Sequence, residues 1–303
     1  MVSPPTLPVA VTPAPLTPAT SAPVIPTPTA VLPVVAPPLK PVSPPKEAPQ
    51  VSPEEEELPP QTDTVRIMAN GKIQEIYTAY LIPTQRQAIK HGLARKWDDQ
   101  GKLWTEAEWR RGKLSGISRY YFENGKISEE IPYKNDQKEG IQVWYSREGK
   151  KLRQAEFHNG IQHGLYREWH PNDTLALEAT YSEGAYHGLV KTWHPNGKPS
   201  SEGLFEKGKR QGSHKIWGFS GELASDIHWK GGVQDSSAIR YGANGKPTAE
   251  SWWKNGKREG PSRTWYSNGQ MQSEDWWQNG IQTGLSRTWN QSGILVKSEV
   301  KKP

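Results

Sequence analysis

Along residues 92–300, apolar and polar positions alternate in runs of six to eight residues, and most runs end on glycine, asparagine or aspartate. Alternation with period two is the signature of a strand with two unlike faces. Leu189, Lys191 and Trp193 fall on one face of such a run. Leu223, Ser225, Ile227 and Trp229 fall on one face of another. The runs are too short for typical helices. Between them, pairs such as Asn196-Gly197 and Asn268-Gly269 supply the positive φ that hairpin turns require. The pattern predicts an all-β chain of successive antiparallel hairpins.

The hairpins repeat. Glycine stands at 92, 116, 140, 164, 188, 212, 260 and 284, all in one 24-residue frame that only Ser236 breaks. Taking each of these as position 0, position 5 is always aromatic: Trp97, Tyr121, Tyr145, Trp169, Trp193, Trp217, Tyr241, Trp265 and Trp289. Position 9 is glycine except at Asp173, and position 14 is Glu106, Glu130, Glu178, Glu202, Glu250 or Glu274 in six units. Position 17 is aromatic from Trp109 through Trp277, with Lys301 in its place in the ninth unit. A fixed period over nine units, with no insertion, is the mark of a stacked repeat array. The expected fold is a single-layer antiparallel β-hairpin solenoid, in which twist and coiling turn one aromatic face inward. One Trp or Tyr per strand, at about 150–250 Å² each, would hold such a ribbon together. The departures Asp136, Asp173, Asp235 and Ser236 are expected to weaken turn geometry locally.

Three segments follow from this frame. Residues 92–303 carry the nine repeats, and residues 61–91 read as an N-terminal cap or degenerate repeat around Asn70-Gly71. Residues 1–60 are rich in Pro, Ala, Val and Thr, with almost no charge before Glu54. That composition predicts a disordered, polyproline-prone tail or spacer.

Composition narrows the function classes. The chain has 303 residues, 14 Trp, 11 Tyr, only 4 Phe and no cysteine. Disulfides, cysteine-based zinc sites and cysteine nucleophiles are therefore excluded. A net charge of +6 with both signs interspersed lacks the clustered footprint of a nucleic-acid binder. No apolar run is long enough to span a bilayer as a helix. No phosphate-binding loop, nucleophile elbow or dinucleotide fingerprint occurs, and six equivalent glutamates do not make a uniquely tuned acid–base pair. The eight histidines follow the repeat frame, as in His170 and His194 before Pro-Asn turns, and have no metal-ligand spacing. The expectation is a protein without catalytic, cofactor or metal residues and without a small-molecule substrate.

The pattern running from Gly188 through Trp193, Asn196-Gly197, Glu202 and Phe205 to Gly208 resembles the MORN repeat, in its bacterial variant form. Gly260 through Gly280 repeats it. The resemblance covers about residues 92–300 and implies an elongated hairpin sheet used for protein assembly, with lipid binding in some arrays. The same variant occurs in proteins grouped as YwqK-family antitoxins, which would imply neutralisation of a partner toxin. The expected function is a scaffold for an unidentified protein partner, at the cell envelope, in the periplasm or secreted. The alternatives are an antitoxin or immunity protein, or a protein of anionic membrane surfaces. One set of residues is a candidate for such contacts. Arg95, Arg119, Arg167, Lys191, Lys215, Arg263 and Arg287 all occupy position 3 and would form a basic ladder. The competing use of the same residues is a cross-strand salt-bridge ladder with the glutamates at position 14. Nominal alternation puts those glutamates on the opposite face, so this use requires a bulge.

Overall fold

The computed structural model describes residues 62–81 and 88–302. The tail expected over residues 1–60 lies outside the described residues. Among those described, the chain is all strand and turn, with no helix. Twenty-three strands form one antiparallel sheet: consecutive long strands pair with one another, and the two-residue strands Lys113–Leu114, Gln137–Lys138 and Ala185–Tyr186 pair with the strand before them. Residues 62–81 extend the sheet by one further hairpin, Thr62–Ala69 with Lys72–Leu81, which pairs onto Ala88–Trp97.

One unit shows how sequence produces the hairpin. Gly188–Trp193 runs out, His194 to Lys198 turn, and Pro199–Glu206 runs back. In the turn, Gly197 N–H donates to the His194 carbonyl at 2.8 Å and His194 N–H to the Lys198 carbonyl at 2.9 Å. Gly197 has φ +80°, the left-handed region where a side chain is costly. Across the strands Val190 faces Gly203, Lys191 faces Glu202 and Thr192 faces Ser201, but Trp193 faces Pro199. Ser200 is therefore an extra residue, and the pairing shifts by one. The same shift recurs in all nine outgoing hairpins, always between positions 4 and 5. Such a bulge re-aims the side chains beyond it and increases local twist.

A second irregularity sits at position 0. In the strand Ile161–Trp169, three residues around Gly164 oppose Glu156 alone on the preceding strand. Gly164 has φ +102°, and a Cβ there would lie 2.1 Å from the Glu156 carboxylate. Glycine is thus required at this position for two reasons, conformation and room. Ser236 takes the same conformation at φ +75° without being glycine.

The expected local weakening at the departures is not found. Asp173 replaces the turn glycine at φ +66°, and its N–H still donates to the His170 carbonyl at 2.9 Å. Asn and Asp tolerate this region better than other side chains because their short polar groups bond locally. Asp136 likewise adopts φ +69° in its turn. Asp235 accepts the Asn255 N–H at 3.0 Å, as Glu139 and Glu259 accept those of Asn159 and Asn279 at 2.8 Å.

The two faces differ. Every buried residue of the repeats lies on one of them. Ala94, Ser118, Gln142 and Val190 occupy position 2, Ile131, Ala155 and Ala179 position 15, and Ser225 position 13. The half-buried rings at position 17 share this face. Tyr166, Tyr181, Tyr186 and Phe205 follow one another at centroid distances of 5.6, 4.6 and 5.4 Å. Cations lie over other rings, Arg210 over Trp229 at 4.8 Å and Arg258 over Trp277 at 4.6 Å. The rings at position 5 do not join them. Tyr121 and Tyr145 donate to Glu106 and Glu130, which lie on the other face. The expectation of one aromatic face is thereby corrected to two, because positions 5 and 17 belong to opposite sides of the sheet.

Candidate functional site: the outer face

The outer face carries positions 1, 3, 5, 14 and 16. The bulge puts positions 3 and 14 directly opposite one another, so the basic residues and the glutamates meet on one side. Arg95 contacts Glu106 at 2.6 Å, Arg119 Glu130 at 2.9 Å, Arg167 Glu178 at 2.8 Å and Lys191 Glu202 at 3.3 Å. Arg263 lies 3.0 Å from Glu274 and 3.7 Å from Glu250, and Arg287 lies 3.9 Å from Glu274. Lys215 stands across from Glu202 on one side and Asp226 on the other. All seven basic residues singled out from the sequence therefore stand in one row, each opposite at least one acid of its own or the preceding unit. Val143 and Ile239 interrupt the row. Each rung is partly exposed, and pairs of this kind contribute about 0.2–1 kcal/mol.

Tyrosines tie adjacent units to this ladder. The Tyr121 hydroxyl donates to Glu106 at 2.6 Å, and Tyr145 donates to Glu130 at 2.8 Å. Burial and the adjacent carboxylate push both hydroxyls up to about 12. Burial works to raise the Glu106 pKa, but hydrogen bonds from Tyr121 and Arg95 outweigh it and hold the carboxyl below its ordinary value.

Beside the ladder runs a row that the sequence reading did not single out. Position 1 pairs with position 16, and both are often apolar and exposed. Leu93, Ile117, Ile141 and Leu189 supply one side, and Leu204, Trp252 and Trp276 supply the other. Leu189 and Leu204 face each other, as do Pro261 and Trp276. The signal was present in the branched aliphatics directly after six of the eight lead glycines. It looked like ordinary strand alternation, and only the register shows that it meets position 16.

Turns are also coupled from unit to unit. The amide of Asn124 donates to the Arg147 carbonyl at 2.9 Å, Asn172 to Pro195 at 2.7 Å, Asn196 to Phe219 at 2.7 Å and Asn268 to Gln291 at 2.8 Å. Each bond spans 23 residues and stacks one turn on the next. A family description of the MORN repeat variant matches residues 114–135, 162–183, 186–207 and 258–279, each window starting two residues before a position-0 glycine. These are MORN repeats of the variant type. The four matched windows share the 24-residue frame of the whole array. Grouping with YwqK-family antitoxins has no counterpart in this match.

No curated protein matches the chain. Among solved structures, the chain is similar to a stretch of the TcdB2–TccC3 crystal structure at 11% identity and TM-score 0.18. That alignment covers 75% of this chain and 14% of the other. A Photorhabdus luminescens Tc holotoxin pore carrying a TccC3 mutation matches at 11% identity and TM-score 0.16, covering 72% and 16%. The TcdB2–TccC3–Cdc42 structure matches at 12% identity and TM-score 0.16, covering 79% and 14%. The chain spans about a seventh of the length of these chains.

Proposed function

We propose that this MORN array is a non-enzymatic scaffold that binds a protein partner along the exposed apolar row of its outer face. The observation that carries this reading is the row itself. Leu189, Leu204, Trp252 and Trp276 are each more than two-fifths exposed, at 42, 46, 41 and 45%. The row has two parts, Leu189 with Leu204 and Trp252 with Trp276, parted by the Ser213–His228 rung; exposed apolar surface rimmed by charge is typical of protein-binding surfaces. Tryptophan in particular is enriched among residues that dominate binding energy. The neighbouring ladder supplies orientation and specificity more than attraction, because six of its seven cations already pair with carboxylates. That pairing also argues against presenting a net cationic surface to anionic lipid. The repeated, paired glutamates favour a structural role over catalysis.

The test is comparative capture of partners on the full chain. Leu189→Asp combined with Trp276→Ala is expected to lose the partner retained by the native chain, with the β-sheet circular dichroism unchanged. Arg119→Gln is expected to retain it. Equal recovery by the apolar-row variant and the native chain would overturn the reading.

A further inference from the structure

The outer face is not uniform along the array. Position 11 pairs with the ring at position 5, as Pro199 does with Trp193. Seven of the nine units carry Leu, Ile, Met or Lys at position 11, and the other two carry Pro199 and Pro247. Proline is shorter than any of these, so it fills less of the space between the ring of its own unit and the ring of the next. In the unit of Pro199 both rings are tryptophans. Trp193 and Trp217 end the two strands that flank Pro199–Glu206. Those two strands lie about 10 Å apart, twice the spacing of neighbouring strands. The result is a slot of ≈ 200 Å³, walled by the half-buried rings of Trp193 and Trp217, with Pro199 between them and Lys191, Glu202 and Lys215 at one end.

The same slot holds the one cation of the basic row that has no carboxylate partner among the described residues. Lys215 stands across from Glu202 and Asp226. Glu202 is held by Lys191 at 3.3 Å. Asp226 is one methylene shorter than the glutamate found at position 14 in six units, and it accepts the Ser213 hydroxyl. Neither carboxylate neutralises the Lys215 ammonium. The unit of Pro247 offers no such charge. Its position 3 is Ile239, and the next cation, Arg263, is paired with Glu274 at 3.0 Å.

An unneutralised ammonium between two indoles suits a ligand that carries a carboxylate next to an apolar group. The carboxylate takes the role that the position-14 glutamate plays for the other cations of the row. The apolar group displaces water from the ring walls. Leu189 and Leu204, one step further along the same strands, continue the slot into the apolar row.

We propose that this slot binds an acidic side chain of a protein partner, with its carboxylate on Lys215 and a neighbouring apolar side chain between Trp193 and Trp217. The proposal rests on the reading of the outer face as a protein-binding surface, and it names the chemistry that the partner presents there.

The probe is a blocked peptide, acetyl-Leu-Glu-Leu-amide, whose only charge is the glutamate carboxylate. Acetyl-Leu-Gln-Leu-amide is its neutral match. The full chain is labelled with fluorotryptophan, and the fluorine signals of the two rings are assigned with Trp193→Phe and Trp217→Phe. The glutamate peptide is expected to shift both signals saturably and to bind about fivefold more tightly than the glutamine peptide, as one exposed ion pair allows. Lys215→Gln should remove that preference, and Lys215→Arg should keep it. No shift at either ring, equal binding of the two peptides, or an undiminished preference in Lys215→Gln would overturn the proposal. Failure of the wider reading shows separately. Equal partner recovery by the Leu189→Asp, Trp276→Ala variant removes the scaffold function, whereas a flat peptide titration on the native chain removes the acidic slot alone.

Discussion

A single backbone angle explains the most regular residue in the chain. Position 0 lies at positive φ in all nine units, from +62° at Gly212 to +110° at Gly116. Eight units answer with glycine, and the seventh answers with Ser236 at +75°. A non-glycine residue pays about 1–2 kcal/mol in this region. Glycine in turn loses more entropy on folding, which offsets part of the gain. Ser236→Gly should therefore stabilise the chain by about 0.5–1 kcal/mol, read as a higher urea midpoint with an unchanged slope. A lower midpoint would mean that the serine side chain makes a contact worth more than the strain. Space varies more than angle at these sites. A Cβ on Gly212 would meet nothing within 4 Å, whereas one on Gly116 would lie 2.1 Å from Glu108. Glycine at position 0 is thus fixed by conformation everywhere and by crowding only in some units.

Between hairpins, the coupling is polar as much as apolar. Glu106 bonds back to Arg95 in its own hairpin and forward to Tyr121 in the next. This has opposite consequences at the two ends of the pH scale. The Glu106 carboxyl is held below its ordinary value, so its stabilising contribution is present above the unfolded value and lost as pH falls through the folded one. The Tyr121 hydroxyl is raised to about 12, so its contribution is complete below the unfolded value of about 10 and lost as pH rises through about 12. The tyrosinate absorbance removed by Tyr121→Phe is expected to titrate with a midpoint of about 12; a midpoint near 10 would show that the bond to Glu106 is not made. Such coupling was only partly legible in the sequence. Strands and turns could be read directly, because Asn-Gly pairs and two-residue alternation have local causes. The pairing of position 3 with position 14 could be named but not placed, because it depends on one unpaired residue, such as Ser200, that carries no sequence mark of its own. The division of the rings at positions 5 and 17 between two faces was missed for the same reason. A bulge between them reverses the alternation on which a one-face reading rests.

Over the whole array, the same small shift is copied nine times, and every functional statement inherits it. It gathers Arg95, Arg119, Arg167, Lys191, Lys215, Arg263 and Arg287 into one row with their acids and sets the apolar row of Leu189 and Leu204 beside them. It also sends the Ala-lined, ring-bearing surface to the opposite side. Repeat proteins pass stability and register only between neighbours, so an error in one hairpin would propagate as a reversed face. The direct test is disulfide trapping in a chain that has no native cysteine. Thr192 and Ser201 are opposed, with their hydroxyls 2.7 Å apart, and without the bulge Thr192 would oppose Ser200 instead. Oxidation of Thr192→Cys with Ser201→Cys is expected to form an intramolecular disulfide quickly and nearly completely, and Thr192→Cys with Ser200→Cys is expected to remain reduced. The reverse result would contradict the register on which both faces depend.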